Sequence, residues 1–296
     1  MNILMMTYPL NAALMFAIAL SWGVVLTRCY RLGWRLWWLG AAAFFLSQVV
    51  HLPVLWLVNR LGYHGAPPST WQSSPAAFAR YALVLGVLAG LSEELLRYAV
   101  LRWWAKEARS WRQALLFGAG HGGLEAIILG ALVLANFFSM FALRGKDLSL
   151  LVPAEQLPLA QAQVQAFWGV DWWLPLLGAW ERFWTLPVHI FLAVLVMRSF
   201  TRRNGGYLLA AIGWHTLVDA GAVMVVSIWG VLPTEGVVTL MGAVSLWGIF
   251  ALRETDPPET ESVFDEAAPP KRESPPLPPL EVDAQSLDSS RYEAES

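Results

Sequence analysis

Residues 113–143 read QALLFGAGHGGLEAIILGALVLANFFSMFAL, an apolar run in which only His121 and Glu125 are ionisable. As an α-helix it extends roughly 45 Å at ~1.5 Å per residue, more than the ~30 Å hydrocarbon core of a bilayer. Such a run crosses a membrane, and its excess length calls for a tilt or a break near its end. The criterion of roughly 20 apolar residues is also met at 5–27, 36–58, 80–104, 172–198, 206–230 and 235–252. The sequence therefore predicts an all-α fold, a polytopic transmembrane helix bundle of about seven spans.

Composition agrees. Of 296 residues, 56% are hydrophobic and only 14% charged, against roughly 25% charged in soluble domains. Most of the 17 tryptophans stand near the ends of apolar runs, where a bilayer places its aromatic belts. The first run has no basic segment before it and no small-residue cleavage site after it, so it reads as a span and not as a cleaved signal. The single cysteine, Cys29, excludes an intramolecular disulfide or a cysteine-rich metal centre. No nucleic-acid partner is expected; the bilayer is the first partner.

Charge orients the bundle. Arg28, Arg31 and Arg35, then Arg102, Lys106, Arg109 and Arg112, then Arg198, Arg202 and Arg203 fill alternate connections. The positive-inside rule puts these in the cytoplasm, so the N-terminus is expected outside and the C-terminus inside. Residues 1–252 form the bundle. Residues 253–296 carry 12 acidic and 4 basic side chains among many prolines and serines, which predicts a disordered acidic cytoplasmic tail. Its Pro275 to Pro279 stretch could also serve as a polyproline II ligand.

Ionisable side chains inside a bilayer are costly and need partners or a wet cavity. The third span holds Ser92-Glu93-Glu94-Leu95-Leu96-Arg97, in which Arg97 is within one turn of both glutamates. Two adjacent carboxylates in a low dielectric repel, which suits one of them to accept a proton. The same residues could equally be a helix-stapling ion pair. In the fourth span His121 and Glu125 share a face, and glycines around His121 allow close approach. The fifth span carries Glu181, Arg182 and His189, and the sixth carries His215 and Asp219 at a spacing that can share a metal or let the aspartate orient the imidazole. Measured from the cytoplasmic helix ends at ~1.5 Å per residue, Glu93 and Glu94 lie roughly 14–17 Å deep, and His121, His189 and His215 roughly 12–14 Å. Four helices thus bring glutamate or histidine to nearly one level, in a site expected to open towards the cytoplasm.

Histidine and carboxylate without cysteine suit zinc or another divalent metal. Water activated by that metal, or by Glu93 and His121 without it, would hydrolyse a peptide bond. Glu93 is the first candidate for the base and Glu94 the next. His121, His189, His215 and Asp219 are the candidate metal ligands. Arg97 would hold the glutamate pair, Glu125 would support His121, Glu181 could pair with an arginine on another helix, and Arg182 is a further supporting residue. A proton- or metal-coupled transporter is the alternative, kept open by Glu181 and His51 nearer the outside. An inactive membrane scaffold is another.

Glu93-Glu94-x-x-Arg97, Phe117-x-x-x-His121 and His215-x-x-x-Asp219 resemble the three motifs of the CAAX-protease and bacteriocin-processing superfamily. The block at residues 118–125 together with Glu181-Arg182 is most similar to its YhfC-type intramembrane metalloprotease branch. The resemblance covers roughly residues 80–220. It implies an intramembrane metallopeptidase in a bacterial cell membrane, acting on a membrane-anchored protein. Prenyl-protein endopeptidases typically carry Glu-Glu-x-x-x-Arg and end on His-x-x-x-Asn. The closer arginine and the final Asp219 resemble the PrsW-like pattern more, which implies a regulatory membrane protein as substrate in place of a prenylated one.

Overall fold

The computed structural model describes residues 2–61 and 74–253. The expected tail, with its Pro275 to Pro279 stretch, and most of the connection between the second and third spans lie outside the described residues. Within them the chain forms eight α-helices and no strand: α1 (Leu4–Tyr30), α2 (Arg35–Arg60), α3 (Pro75–Trp103), α4 (Trp111–Leu143), α5 (Leu157–Gly169), α6 (Leu177–Thr201), α7 (Gly206–Trp229) and α8 (Val231–Ala251). All but α5 are long and apolar enough to cross a membrane.

Local sequence sets the boundaries. Ser110 opens α4 with a capping box, its side chain accepting from the Gln113 amide while the Gln113 side chain reaches back. Pro75 opens α3, where its missing N–H costs nothing. Gly230, at φ 83°, makes the sharp turn that separates α7 from α8. The long α4 is continuous over 33 residues, without the break that its length allowed. The connection at 144–171, between the fourth and fifth apolar runs, contains α5. That segment is rich in Leu, Ala and Gln and has proline in its first turn. Its 13 residues are too few to span. It rests on neighbouring helices through Phe167 stacked on Tyr8, with centroids 4.1 Å apart, and the Trp168 indole donating to the Met140 carbonyl.

The architecture is a ring. Helix α2 packs on α3, α3 on α7, α7 on α6, α6 on α4, and α4 back on α2; α1 backs α4 and α6, and α8 backs α6 and α7. The α1–α2, α3–α4 and α6–α7 turns share one end with the last residues of α8. Arg35 donates to the Trp104 carbonyl at 3.0 Å, Trp111 donates to the Ile249 carbonyl at 2.9 Å, and Arg198 donates to the Leu252 carbonyl. The ten basic side chains of these three connections, at Arg28, Arg31, Arg35, Arg102, Lys106, Arg109, Arg112, Arg198, Arg202 and Arg203, lie at this end.

Helices α2 and α4 cross with no room for side chains. A Cβ on Gly120 would stand 1.9 Å from the Trp37 carbonyl oxygen, and one on Gly40 1.9 Å from that of Phe117. Both obstacles are backbone, so neither can swing aside. Gly120→Ala is expected to cost at least about 3 kcal/mol, the upper end of overpacking penalties, and to lower the thermal midpoint in detergent. Gly33→Ala, with open space around its Cβ, should leave the midpoint unchanged.

Candidate active site

The ring gathers the ionisable side chains of four helices. On α3, Glu93, Glu94 and Arg97 are all buried, the last two completely. Arg97 Nη1 donates to both oxygens of Glu94 at 2.8 Å. Glu94 Oε1 in turn lies 2.8 Å from His215 Nδ1 on α7. Glu93 turns the other way. Its Oε2 is 3.0 Å from His121 Nε2 on α4 and 3.7 Å from His215 Nε2, and its Oε1 accepts from Gln48 on α2 at 3.2 Å.

Helix α6 adds His189. Its Nε2 lies 2.6 Å from Glu125 Oε2, and its Nδ1 lies 3.4 Å from Arg97 Nη2. Arg182 donates to Glu125 Oε1 at 2.6 Å and also to its neighbour Glu181. The imidazoles of His121 and His189 are 5.1 Å apart by centroid, and those of His189 and His215 5.8 Å. A connected network therefore runs from Glu181 through Arg182, Glu125, His189, Arg97, Glu94 and His215 to Glu93 and His121.

Several expected roles change in this geometry. Arg97 does not hold both glutamates: adjacent helical residues diverge by about 100°, so it grips Glu94 and leaves Glu93 to α2 and α4. Glu125 does not support His121, because Arg182 and His189 of α6 draw its carboxylate across the helix interface. The interhelical ion pair of Arg182 is with Glu125, while Glu181 binds Arg182 along the same helix. Asp219 lies 3.5 Å from His215 Nε2 with 38% of its side chain exposed, at the edge of the cluster. No spacing pattern marks Gln48, an uncharged residue whose partner is on another helix.

Electrostatics single out Glu93. Of the three deep carboxylates, Glu94 and Glu125 each have a guanidinium; among the described residues Glu93 has imidazoles and an amide as its partners. An uncompensated buried charge is expensive. Ligand atoms of Glu93, His121 and His189 lie within 4.8 Å of one another, close enough to share a metal ion. His121 Nδ1, fully buried, has no hydrogen-bond partner among the described residues. Two imidazoles and one carboxylate are a donor set that suits zinc, and a divalent ion there would balance Glu93. The residues present fit a metal.

A cavity of about 100 Å³ adjoins the cluster, lined by Glu93, His189, His215, Glu125, Arg182 and Asp219 among others. That volume holds a few waters at ~30 Å³ each. Contrary to expectation, it does not open towards the basic end. On that side Leu101, Leu116, Phe117, Val194, Val196 and Ala211 close the bundle, each at most 1% exposed. The cavity instead follows the opposite halves of α6 and α7, past Thr185 and Ala222.

A family model described as YhfC intramembrane metalloprotease matches residues 13–241. The "Uncharacterized membrane protein YhfC" of Bacillus subtilis (strain 168) is 30% identical over 253 residues, covering 81% of this chain and 93% of the relative. No solved structure matches the chain.

Proposed function

The chain belongs to the YhfC intramembrane metalloprotease family, and we propose that it hydrolyses a peptide bond of a membrane-associated protein at the buried Glu93–His121–His189 cluster. It is an integral, multi-pass membrane protein, oriented in this proposal with its basic turns in the cytoplasm. The observation that carries the reading is the convergence of those three buried donors, two of which, Glu93 and His189, border a cavity large enough for water.

Glu93, His121 and His189 would hold the metal, with zinc the best fit to the donors. When bound, such an ion supplies Lewis acidity. Gln48 fixes the second oxygen of Glu93, and Glu125 fixes the His189 ring, in the way that outer partners orient metal ligands. His215 is then free for proton transfer. Its Nδ1 rests on Glu94, which Arg97 holds in place, while its Nε2 lies 3.7 Å from Glu93 and 3.5 Å from Asp219, which line the cavity with it. An imidazole oriented by a carboxylate can take a proton from water and return it to the leaving nitrogen. A transporter would need polar groups at successive depths across the bilayer. The apolar packing between the cluster and the basic end argues against that.

Metal content of detergent-purified protein tests the reading. Near-stoichiometric zinc is expected in the parent, with loss of most of it in His121→Ala and in His189→Ala at unchanged thermal midpoint. A folded parent free of any divalent metal after gentle purification would remove the basis of the assignment.

A further inference from the structure

The cavity has a direction, and it is opposite to the side on which depth and charge alone place the site. Its lining comes from the half of α6 nearer Leu177 (Glu181, Arg182, Thr185), from the half of α7 nearer Trp229 (Asp219, Ala222), and from Val238 near the start of α8. These segments all lie away from the basic turns. The two lining carboxylates farthest from the deep cluster, Glu181 and Asp219, are the partly exposed ones, each with 38% of its side chain accessible. Glu125, between these and the cluster, is 20% exposed, and Glu93, Glu94, Arg97, His121, His189 and His215 are at most 9% exposed. Polarity falls off at Glu94 and Arg97, beyond which the buried side chains of α3, α4, α6 and α7 are apolar and close-packed except Ser199, whose hydroxyl is taken up by the Val196 carbonyl.

We infer that water reaches the cluster from the end of the bundle that carries the α4–α6 and α7–α8 connections, opposite the basic turns. Resting on the peptidase reading, the inference extends to the substrate: the scissile segment is a stretch of a membrane-anchored protein presented at that end, which is the external face when the basic turns are cytoplasmic. An extended backbone arriving there meets Glu181, Arg182, Thr185 and Asp219, which can replace the hydrogen bonds it loses on leaving water. Along the other route its polar groups would cross a packed, almost wholly apolar layer.

Cysteine labelling decides the matter without reference to catalysis. Cys29, exposed near the end of α1, is a built-in marker of the basic end. In intact cells and in inverted vesicles, a membrane-impermeant maleimide is applied to the parent, and to Ala222→Cys and Thr185→Cys in a Cys29→Ser background. The expected result is that both cavity cysteines react at least tenfold faster from the side opposite to the one that labels Cys29. Faster reaction from the Cys29 side, or reaction only with a lipid-soluble reagent, would overturn the inference. So would unreactive thiols in both positions of a folded protein. Cleavage of a single-span reporter tests the substrate arm. Maleimide on Ala222→Cys should slow it at least tenfold and maleimide on Cys29 should not; equal rates with and without the Ala222→Cys adduct would sink that arm. A parent that labels as expected but neither binds metal nor cleaves any reporter would remove the peptidase reading and leave the access route standing.

Discussion

Glu93→Gln is expected to strip the metal from the purified protein and to lower cleavage of a membrane-anchored reporter by at least about 10²-fold. The amide keeps the size of the side chain and can still accept from Gln48, so the fold should survive. What disappears is the deep carboxylate that, among the described residues, has no guanidinium beside it. The companion variant His215→Gln separates the roles. If His215 moves the proton and Glu93 binds the ion, His215→Gln keeps its metal while losing about 10²–10⁴-fold in turnover. The opposite pattern, metal retained in Glu93→Gln and lost in His215→Gln, would return Glu93 to the role of base. Isothermal titration of the apo-proteins with zinc, read beside reporter cleavage, distinguishes these outcomes.

The sequence displays much of this site, for a physical reason: charge inside a bilayer is costly enough to stand out. All seven spans were readable from apolar length, and the helices found differ from the predicted runs by a few residues at each end. Equal depth along four helices pointed to Glu93, Glu94, His121, His189 and His215, and the fold brings those five together. What could not be read depends on azimuth and crossing. Depth gives the level of a residue on its helix but not the neighbour it faces, so the partners of Arg97 and Glu125 emerged only with the ring. Gln48 reaches Glu93 because α2 lies against α4 at Gly40 and Gly120, a contact that no single-helix pattern encodes. Helix α5 was hidden because it is too short for a span and buries no residue. The open side of the cavity was likewise hidden, since it depends on which half of the ring the apolar side chains fill.

Removing the positive partner of Glu94 should have the largest effect on stability. Arg97 and Glu94 are both fully buried, joined by two hydrogen bonds of 2.8 Å. Arg97→Met leaves the Glu94 carboxylate without its guanidinium, and breaking a buried pair in this way costs about 3–5 kcal/mol. The thermal midpoint in detergent should fall sharply, or the folded yield should collapse. The double variant Glu94→Gln, Arg97→Met removes both charges, and a pair replaced together is often near neutral, so most of the lost stability should return. Turnover should not return with it, because the carboxylate that orients His215 Nδ1 is gone. A double variant as unstable as the single one would mean that Arg97 acts through packing or through its 3.4 Å contact with His189, with the Glu94 pair contributing little. Recovery of stability and activity together would reduce Glu94 and Arg97 to a structural staple and leave His215 without its orienting group. Recovery of stability alone places the pair where the geometry does, beneath the imidazole that moves the proton.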